Sequence, residues 1–211
     1  MKIGVDEAGR GAVIGPLVVC AFASVSQSDL RRLGVKDSKD LSKKRRKELY
    51  EILIKMPHKV VICLPDRIDN SSNLNTLEVE LFAESLSVMP EGHIMLDACD
   101  VDAERFAKNV SEISGRECRA EHKADENHLE VGAASIIAKV TRDNYVEDLS
   151  STLGIDLGSG YPSDPKTKLA VKELIKGRLP HDCLRWSWKT VSDAMGTTPP
   201  PRPNSPQQTL F

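Results

Sequence analysis

An α/β domain with a mixed sheet is predicted by three observations. Apolar runs of strand length recur along the 211 residues: Ile3 and Val5, Leu17 to Phe22, Val60 to Leu64, His93 to Leu96 and Glu117 to Ala120. The first two follow each other across a glycine-rich turn, whereas the later ones alternate with helical periodicities. Hydrophobic residues make up 40% and charged residues 28%, the balance of a soluble globular chain with an ample core.

The opening stretch MKIGVDEAGRGAVIG organises the rest. Ile3 and Val5 alternate with Lys2 and Gly4, as in a strand, and Asp6 and Glu7 close it. Acids at the end of an apolar strand are costly to hold without positive charge beside them, and a divalent ion is the simplest source. Two plainer readings stand next to this one. Asp6 and Glu7 can cap a turn in water, and Gly9-Arg10-Gly11 can be a tight hairpin. A dinucleotide loop is excluded, because strand-like Pro16-Leu17-Val18-Val19, not a helix, follows the glycines.

The elements follow in order. Ser28 to Leu33 is a helical turn ending at Gly34, and Ser42 caps a helix to about Lys55. After the strand closed by Pro65, Leu74, Leu77, Leu81, Phe82 and Leu86 repeat at helical spacing. The fourth strand ends at Asp97; Ala103 to Ser114 is a helix stopped by Gly115. Asp125 is placed in a loop before the longest helix, Glu130 to Leu149, whose Gly132, Ala133, Ala134 and Ser135 suit close packing on a sheet. A Gly/Pro/Ser loop surrounds Tyr161, helices cover Thr167 to Ile175 and the segment from Trp186 to about Met195, and a Pro-rich tail from Gly196 is expected to be disordered.

Composition narrows the function. Net charge is −2, so bulk charge does not announce nucleic acid. The run KDSKDLSKKRRK from Lys36 to Lys47 carries seven basic residues and reads either as a solvated helix face or as a phosphate-backbone contact. The five cysteines are widely spaced without a C-x-x-C, which points to buried reduced thiols and a cytoplasmic location. No apolar stretch approaches the roughly 20 residues of a membrane span. No two histidines share a metal-ligand spacing, which argues against a zinc hydrolase.

The acids then form a pattern. Asp6, Glu7 and Asp97 end strands, Asp125 precedes a helix, and ligand sites of open α/β sheets gather at such strand ends. Clustered carboxylates repel one another and raise their own pKa values, a cost relieved by hard cations such as Mg²⁺ or Mn²⁺. Two such ions can activate water and stabilise the leaving oxygen of a phosphodiester. Asp6 and Glu7 are adjacent, so both reach one site only if the strand ends or bulges there. Asp100, Asp102 and Asp164 read as caps and turn residues.

Five motifs in the right order carry a resemblance. They are Gly4-Val5-Asp6-Glu7-Ala8-Gly9-Arg10-Gly11 with Gly15-Pro16-Leu17-Val18, Lys36-Asp37-Ser38-Lys39 with Leu41-Ser42, and Leu96-Asp97 after a strand. The others are Glu121-His122-Lys123-Ala124-Asp125 with Ala133 to Lys139, and Gly158 to Pro165 around Tyr161. Over residues 1 to about 192 the chain resembles ribonuclease HII, most of all its archaeal branch. The resemblance implies a ribonuclease H-like fold: a five-stranded mixed sheet flanked by helices, within residues 1–195, with a small helical C-terminal subdomain from about 155 to 195. It implies metal-dependent hydrolysis on the 5′ side of ribonucleotides in duplexes, in RNA/DNA hybrids or as single residues in DNA, leaving a 3′-hydroxyl and a 5′-phosphate. Asp6, Glu7, Asp97 and Asp125 match the metal-binding and catalytic carboxylates, and Gly9-Arg10-Gly11 the segment that reads the ribose 2′-hydroxyl. Tyr161 matches the residue that stacks on the sugar at the RNA-to-DNA junction; Lys39 and Lys139 are candidate phosphate contacts. Within residues 196–211, Gln207-Gln208-Thr209-Leu210-Phe211 resembles the C-terminal peptide by which replication and repair proteins dock on a sliding clamp. Gln207 and Leu210 fit that pattern, but Phe211 comes at once and the sequence stops. A monomer is expected. Two other classes compete with the ribonuclease: an inactive nucleic-acid module, disfavoured by four acids facing phosphates, and a DNA-only nuclease, which has no use for a 2′-hydroxyl reader.

Overall fold

The computed structural model describes residues 1–24, 26–35, 41–177 and 180–199. The whole Lys36-Asp37-Ser38-Lys39 motif and the tail residues Gln207, Leu210 and Phe211 lie outside them. Five strands form one sheet: β1 Lys2–Ala8, β2 Leu17–Ser24, β3 His58–Cys63, β4 His93–Asp97 and β5 Cys118–Glu121. The order is β3-β2-β1-β4-β5; β1–β2 and β2–β3 are antiparallel, β1–β4 and β4–β5 parallel. A mixed sheet is what the sequence predicts: a meander first, crossovers later.

The described residues also form nine helices: α1 Gln27–Leu33, α2 Lys43–Leu53, α3 Pro65–Asp69, α4 Leu74–Leu86, α5 Ala103–Ser114, α6 Ala124–Asn127, α7 Leu129–Leu153, α8 Pro165–Leu174 and α9 Lys189–Met195. The chain divides into two compact units, one of Met1–Arg10, Leu17–Cys63 and Ser71–Asn144, the other of Gly11–Pro16, Leu64–Asn70 and Tyr145–Phe211.

The first unit holds the sheet. Val18, Cys20 and Phe22 of β2 pack with Leu49 and Leu53 of α2 and with Ala133, Ala134, Ile136, Ile137, Ala138 and Val140 of α7. Gly4 on β1 is the point of closest approach. A Cβ there would sit 2.3 Å from the backbone of Glu130 and Val131, so any side chain would push α7 off the strand. On α4 and α5, Phe82 and Phe106 meet edge to face, with centroids 5.0 Å apart.

The second unit has its own core, built from Val13, Ile14, Val146, Leu157, Ala170, Val171, Leu174, Leu184, Trp186 and Val191. Arg185 is fully buried there, donating from Nε to the Gly15 carbonyl at 3.3 Å while its guanidinium stands 5.0 Å from the Trp188 ring. Asp69 accepts from the Trp186 and Ser187 amides at 2.8 and 3.2 Å and from the Ser187 hydroxyl at 2.6 Å.

Four expectations change. Pro65 does not simply close a strand; it is the first residue of α3, where its missing N–H has no partner to lose. Asp125 is not in a loop but in the single turn α6. The fifth strand lies one residue later than Glu117 to Ala120. Finally, β1 neither ends nor bulges at Asp6 and Glu7, because its register with β2 continues unbroken to Ala8 opposite Val18.

Candidate active site

Parallel pairing of β1 with β4 brings the ends of both strands, and their acids, together. β4 ends on Asp97, β5 leads to the turn at Lys123, and Asp125 follows on α6. Lys123 is the one non-glycine described residue with positive φ, 58°, a conformation that costs roughly 1 kcal/mol. It turns the chain so that the Ala124 amide donates to Asp97 Oδ1 at 2.8 Å. The result is a group of three carboxylates, Asp6, Asp97 and Asp125, with one oxygen from each within 4.8 Å of the others. Asp6 and Asp125 are buried, with 2% and 3% of their surface exposed.

The electrostatics are those of crowded, buried acids. Burial and the neighbouring Asp6 raise the Asp97 carboxyl to about 7. Glu7 is also pushed well up, by burial first and then by Asp6 and Glu78. β1 stays regular and Glu7 stands outside the three-carboxylate group, yet the Asp6 and Asp97 charges both act on it. Its Oε2 is buried without a hydrogen-bond partner. Lys139 of α7 reaches into the centre: its Nζ lies 3.5 Å from Asp6 Oδ2 and contacts the Ser135 hydroxyl. It lowers Asp97 less than the acids raise it. Oxygen-only donors, close carboxylates and an orphaned buried oxygen suit a hard divalent cation.

The glycine turn begins beside these acids. Gly9 has φ 93°, open to glycine without strain. Arg10 is held by α4: its Nε pairs with Glu78 Oε1 at 2.7 Å and its Nη2 donates to Asn75 Oδ1 at 2.8 Å. Neither Glu78 nor Asn75 is singled out by the sequence reading. One signal was available: Glu78 falls at i+4 from Leu74 and i−4 from Phe82, so it interrupts the apolar stripe with an acid.

In the second unit, Gly11 lies against the Tyr161 ring; a Cβ on Gly11 would stand 3.9 Å from Cε1. The loop bearing Tyr161 is fully bonded at its root. Gly160 O accepts from the Val13 and Ile14 amides at 2.8 and 3.1 Å, and buried Thr167 Oγ1 accepts from Gly160 N and donates to Leu157 O, each at 2.9 Å. Asp164 caps α8 and Asp102 caps α5, while Asp100 pairs with Arg105 at 2.6 Å, the capping and turn roles assigned to all three. His128 pairs with Glu121 at 3.0 Å. None of the five cysteines forms a disulfide. No helix among the described residues is long and apolar enough to cross a membrane.

A five-stranded mixed sheet with helices, carrying acids at the ends of its central strands, is the ribonuclease H-like arrangement, a fold of metal-dependent hydrolases. Comparison with known proteins narrows this class. The family model described as ribonuclease HII matches residues 3–191. Ribonuclease HII of Archaeoglobus fulgidus is 46% identical over 198 residues, 92% of this chain and 96% of the relative. That of Pyrococcus furiosus is 46% identical over 203 residues, 90% of each. Among solved structures, the PCNA:RNase HII complex from Archaeoglobus fulgidus matches with a TM-score of 0.85 at 43% identity, over 99% of this chain and 100% of that one. Bst-RNase HIII in complex with Mn²⁺ matches at 0.79 and 24% identity, over 92% of this chain and 69% of that one, a likeness of fold. The chain belongs to the ribonuclease HII family and is a metal-dependent ribonuclease H-type endonuclease.

Proposed function

We propose that this enzyme hydrolyses the phosphodiester on the 5′ side of ribonucleotides, in RNA/DNA hybrids and at single ribonucleotides embedded in duplex DNA, leaving 5′-phosphate and 3′-hydroxyl ends. The observation that carries this reading is the group of three carboxylates, Asp6, Asp97 and Asp125, gathered within 4.8 Å beside the Gly9-Arg10-Gly11 turn. Those three, with Glu7 beside Asp6 on β1, are the residues that would hold two divalent ions, Mg²⁺ or Mn²⁺. Bound there, such ions supply an activated water and charge stabilisation for the leaving oxygen.

The chain's own groups do the rest. Lys139, 3.5 Å from Asp6, balances the acids and is placed to meet a phosphate. The glycines of the turn let backbone amide and carbonyl groups approach a ribose 2′-hydroxyl, the group that separates RNA from DNA. The Tyr161 ring offers a flat face for the sugar at the RNA-to-DNA junction, and Lys39 a further phosphate contact. A sliding clamp is the proposed partner of the tail through Gln207, Leu210 and Phe211. The neighbour solved as a PCNA:RNase HII complex supports that reading, and a role in DNA replication and repair is proposed with it.

Three labelled duplexes test it in Mg²⁺: all-DNA, DNA with one ribonucleotide, and an RNA/DNA hybrid. The expected result is cutting 5′ of the lone ribonucleotide and within the hybrid, all-DNA intact, and no product from Asp97→Asn. Equal cutting of all-DNA overturns the 2′-hydroxyl reading. Duplex binding without cutting, in Mg²⁺ and in Mn²⁺, leaves a binding module. For the tail, removal of residues 200–211 is expected to abolish binding to an immobilised clamp while cleavage of a short duplex persists.

A further inference from the structure

Helix α4 carries a carboxylate where its packing calls for an apolar side chain. Glu78 is 0% exposed, between buried Leu77, Val79, Leu81 and Phe82. A buried carboxylate destabilises a fold unless it is paired, and a hydrocarbon of similar size is often the more stable choice. Its position therefore calls for a role other than packing.

Its partners supply one. Arg10 Nε lies 2.7 Å from Glu78 Oε1, and Asn75, one turn earlier on the same helix face, accepts from Arg10 Nη2 at 2.8 Å. The two side chains grip the guanidinium from two edges, so its plane and direction are set. Arg10 keeps 40% of its side chain in solvent, while that of Glu78 keeps 1%, so the arginine can face a ligand and the glutamate cannot. With burial, the Glu78 charge also acts on the thiol of Cys99, two residues beyond Asp97, and helps to push that thiol up. One buried carboxylate thus pairs with the segment after β1, which follows Glu7.

We propose that Glu78 is a positioning residue for substrate recognition: with Asn75 it locks Arg10, and through Arg10 the Gly9-Arg10-Gly11 turn, in the conformation that accepts a ribonucleotide. This rests on the proposed role of that turn. Glu78 touches no substrate, and preorganisation of the turn is its whole contribution. Because Arg10 is half exposed, its free alternative is a mobile, hydrated side chain, and substrate would then have to order it.

Steady-state kinetics on the single-ribonucleotide duplex tests this with Glu78→Gln, Glu78→Leu, Arg10→Ala and the Arg10→Ala/Glu78→Gln double variant. Glu78→Gln keeps the shape of the site and guards against failure to fold. We expect its KM to rise about tenfold, the scale of one hydrogen bond to a charged group. We expect kcat to stay within about twofold and the Mn²⁺ half-saturation to be unchanged, because the change acts on ground-state binding. Glu78→Gln should show the KM defect at a near-wild-type melting temperature, whereas Glu78→Leu, which leaves Arg10 without its counter-charge, should melt lower. A KM defect without loss of fold is a split that a purely structural residue does not produce. The double variant should be no worse than Arg10→Ala. A wild-type KM in Glu78→Gln, an additive double variant, or a fall in kcat with altered Mn²⁺ dependence overturns the proposal while leaving the function intact. Wild-type protein that cuts all-DNA as readily removes the role of the turn, and the proposal with it.

Discussion

Asp97 and Asp164 are the same residue type in opposite situations. Asp164, at the root of the Tyr161 loop, accepts from two backbone amides, Ser159 at 2.7 Å and Lys166 at 2.9 Å. Those donors hold its carboxyl below the ordinary aspartate range. Asp97 also accepts a backbone amide, that of Ala124, yet burial and Asp6 lift it to about 7. The difference lies in what else faces the group: donors and water in one place, other acids in the other. One aspartate is satisfied by the fold, whereas the other is left among like charges. A carboxylate that the fold leaves unstable is thus a better pointer to chemistry than one that it satisfies.

Substitutions can break this comparison, and the largest effect belongs to the acid centre. Asp97→Asn should lower cleavage by about 10³-fold or more, the several kcal/mol of charge stabilisation that bound ions provide. The same change should raise the melting temperature of metal-free protein at neutral pH, since it removes a repelling charge. A fall in that temperature would mean that Asp97 is satisfied after all.

Next comes the root of the tyrosine loop. Thr167→Val strands the Gly160 amide and the Leu157 carbonyl in a buried setting, and should cost about 2 kcal/mol in urea unfolding. A loss within about 0.5 kcal/mol, the ordinary scatter of surface changes, would show the loop to be held by something else. Tyr161→Ala should then raise KM for the ribonucleotide duplex about tenfold, at the low end of what one aromatic stacking contact on nucleic acid contributes. Tyr161→Phe should leave it within about twofold, since the ring face is kept.

The smallest effect is a pair of opposite pH slopes. Asp97 has a raised folded-state pKa, so its proton stabilises the metal-free protein at low pH. That contribution is lost as pH rises from about 4, the ordinary aspartate value, to about 7. Asp164 has a lowered one, so its contribution is present above about 4 and lost as pH falls below it. Melting curves in EDTA should show the first slope flattened by Asp97→Asn and the second by Asp164→Ala. Mg²⁺ should stabilise most at the high end of the first window, where the acids are free of protons.

Local chemistry was legible in the sequence, and α5 shows why. Its cap Asp102 and its left-handed stop Gly115 act within one helical turn, and both ends fall where the sequence places them. The meander and the later crossovers were legible too, because hydrophobic period and segment length report them. Helix α6 was not. Four residues at an irregular turn carry no periodicity, and what orders them is Asp97 bonding the Ala124 amide from 27 residues away. The order of a proline and a helix was also ambiguous at Pro65, since the same ring that ends a strand starts α3.

The sequence by itself determined which residues are acids at strand ends, where glycines allow the chain to turn, and what family these motifs belong to. These are properties of residue type and spacing. Only the tertiary structure decided that Asp6, Asp97 and Asp125 converge, because that follows from the parallel pairing of β1 with β4. It alone set Glu78 against Arg10, a contact across 68 positions that no local pattern encodes.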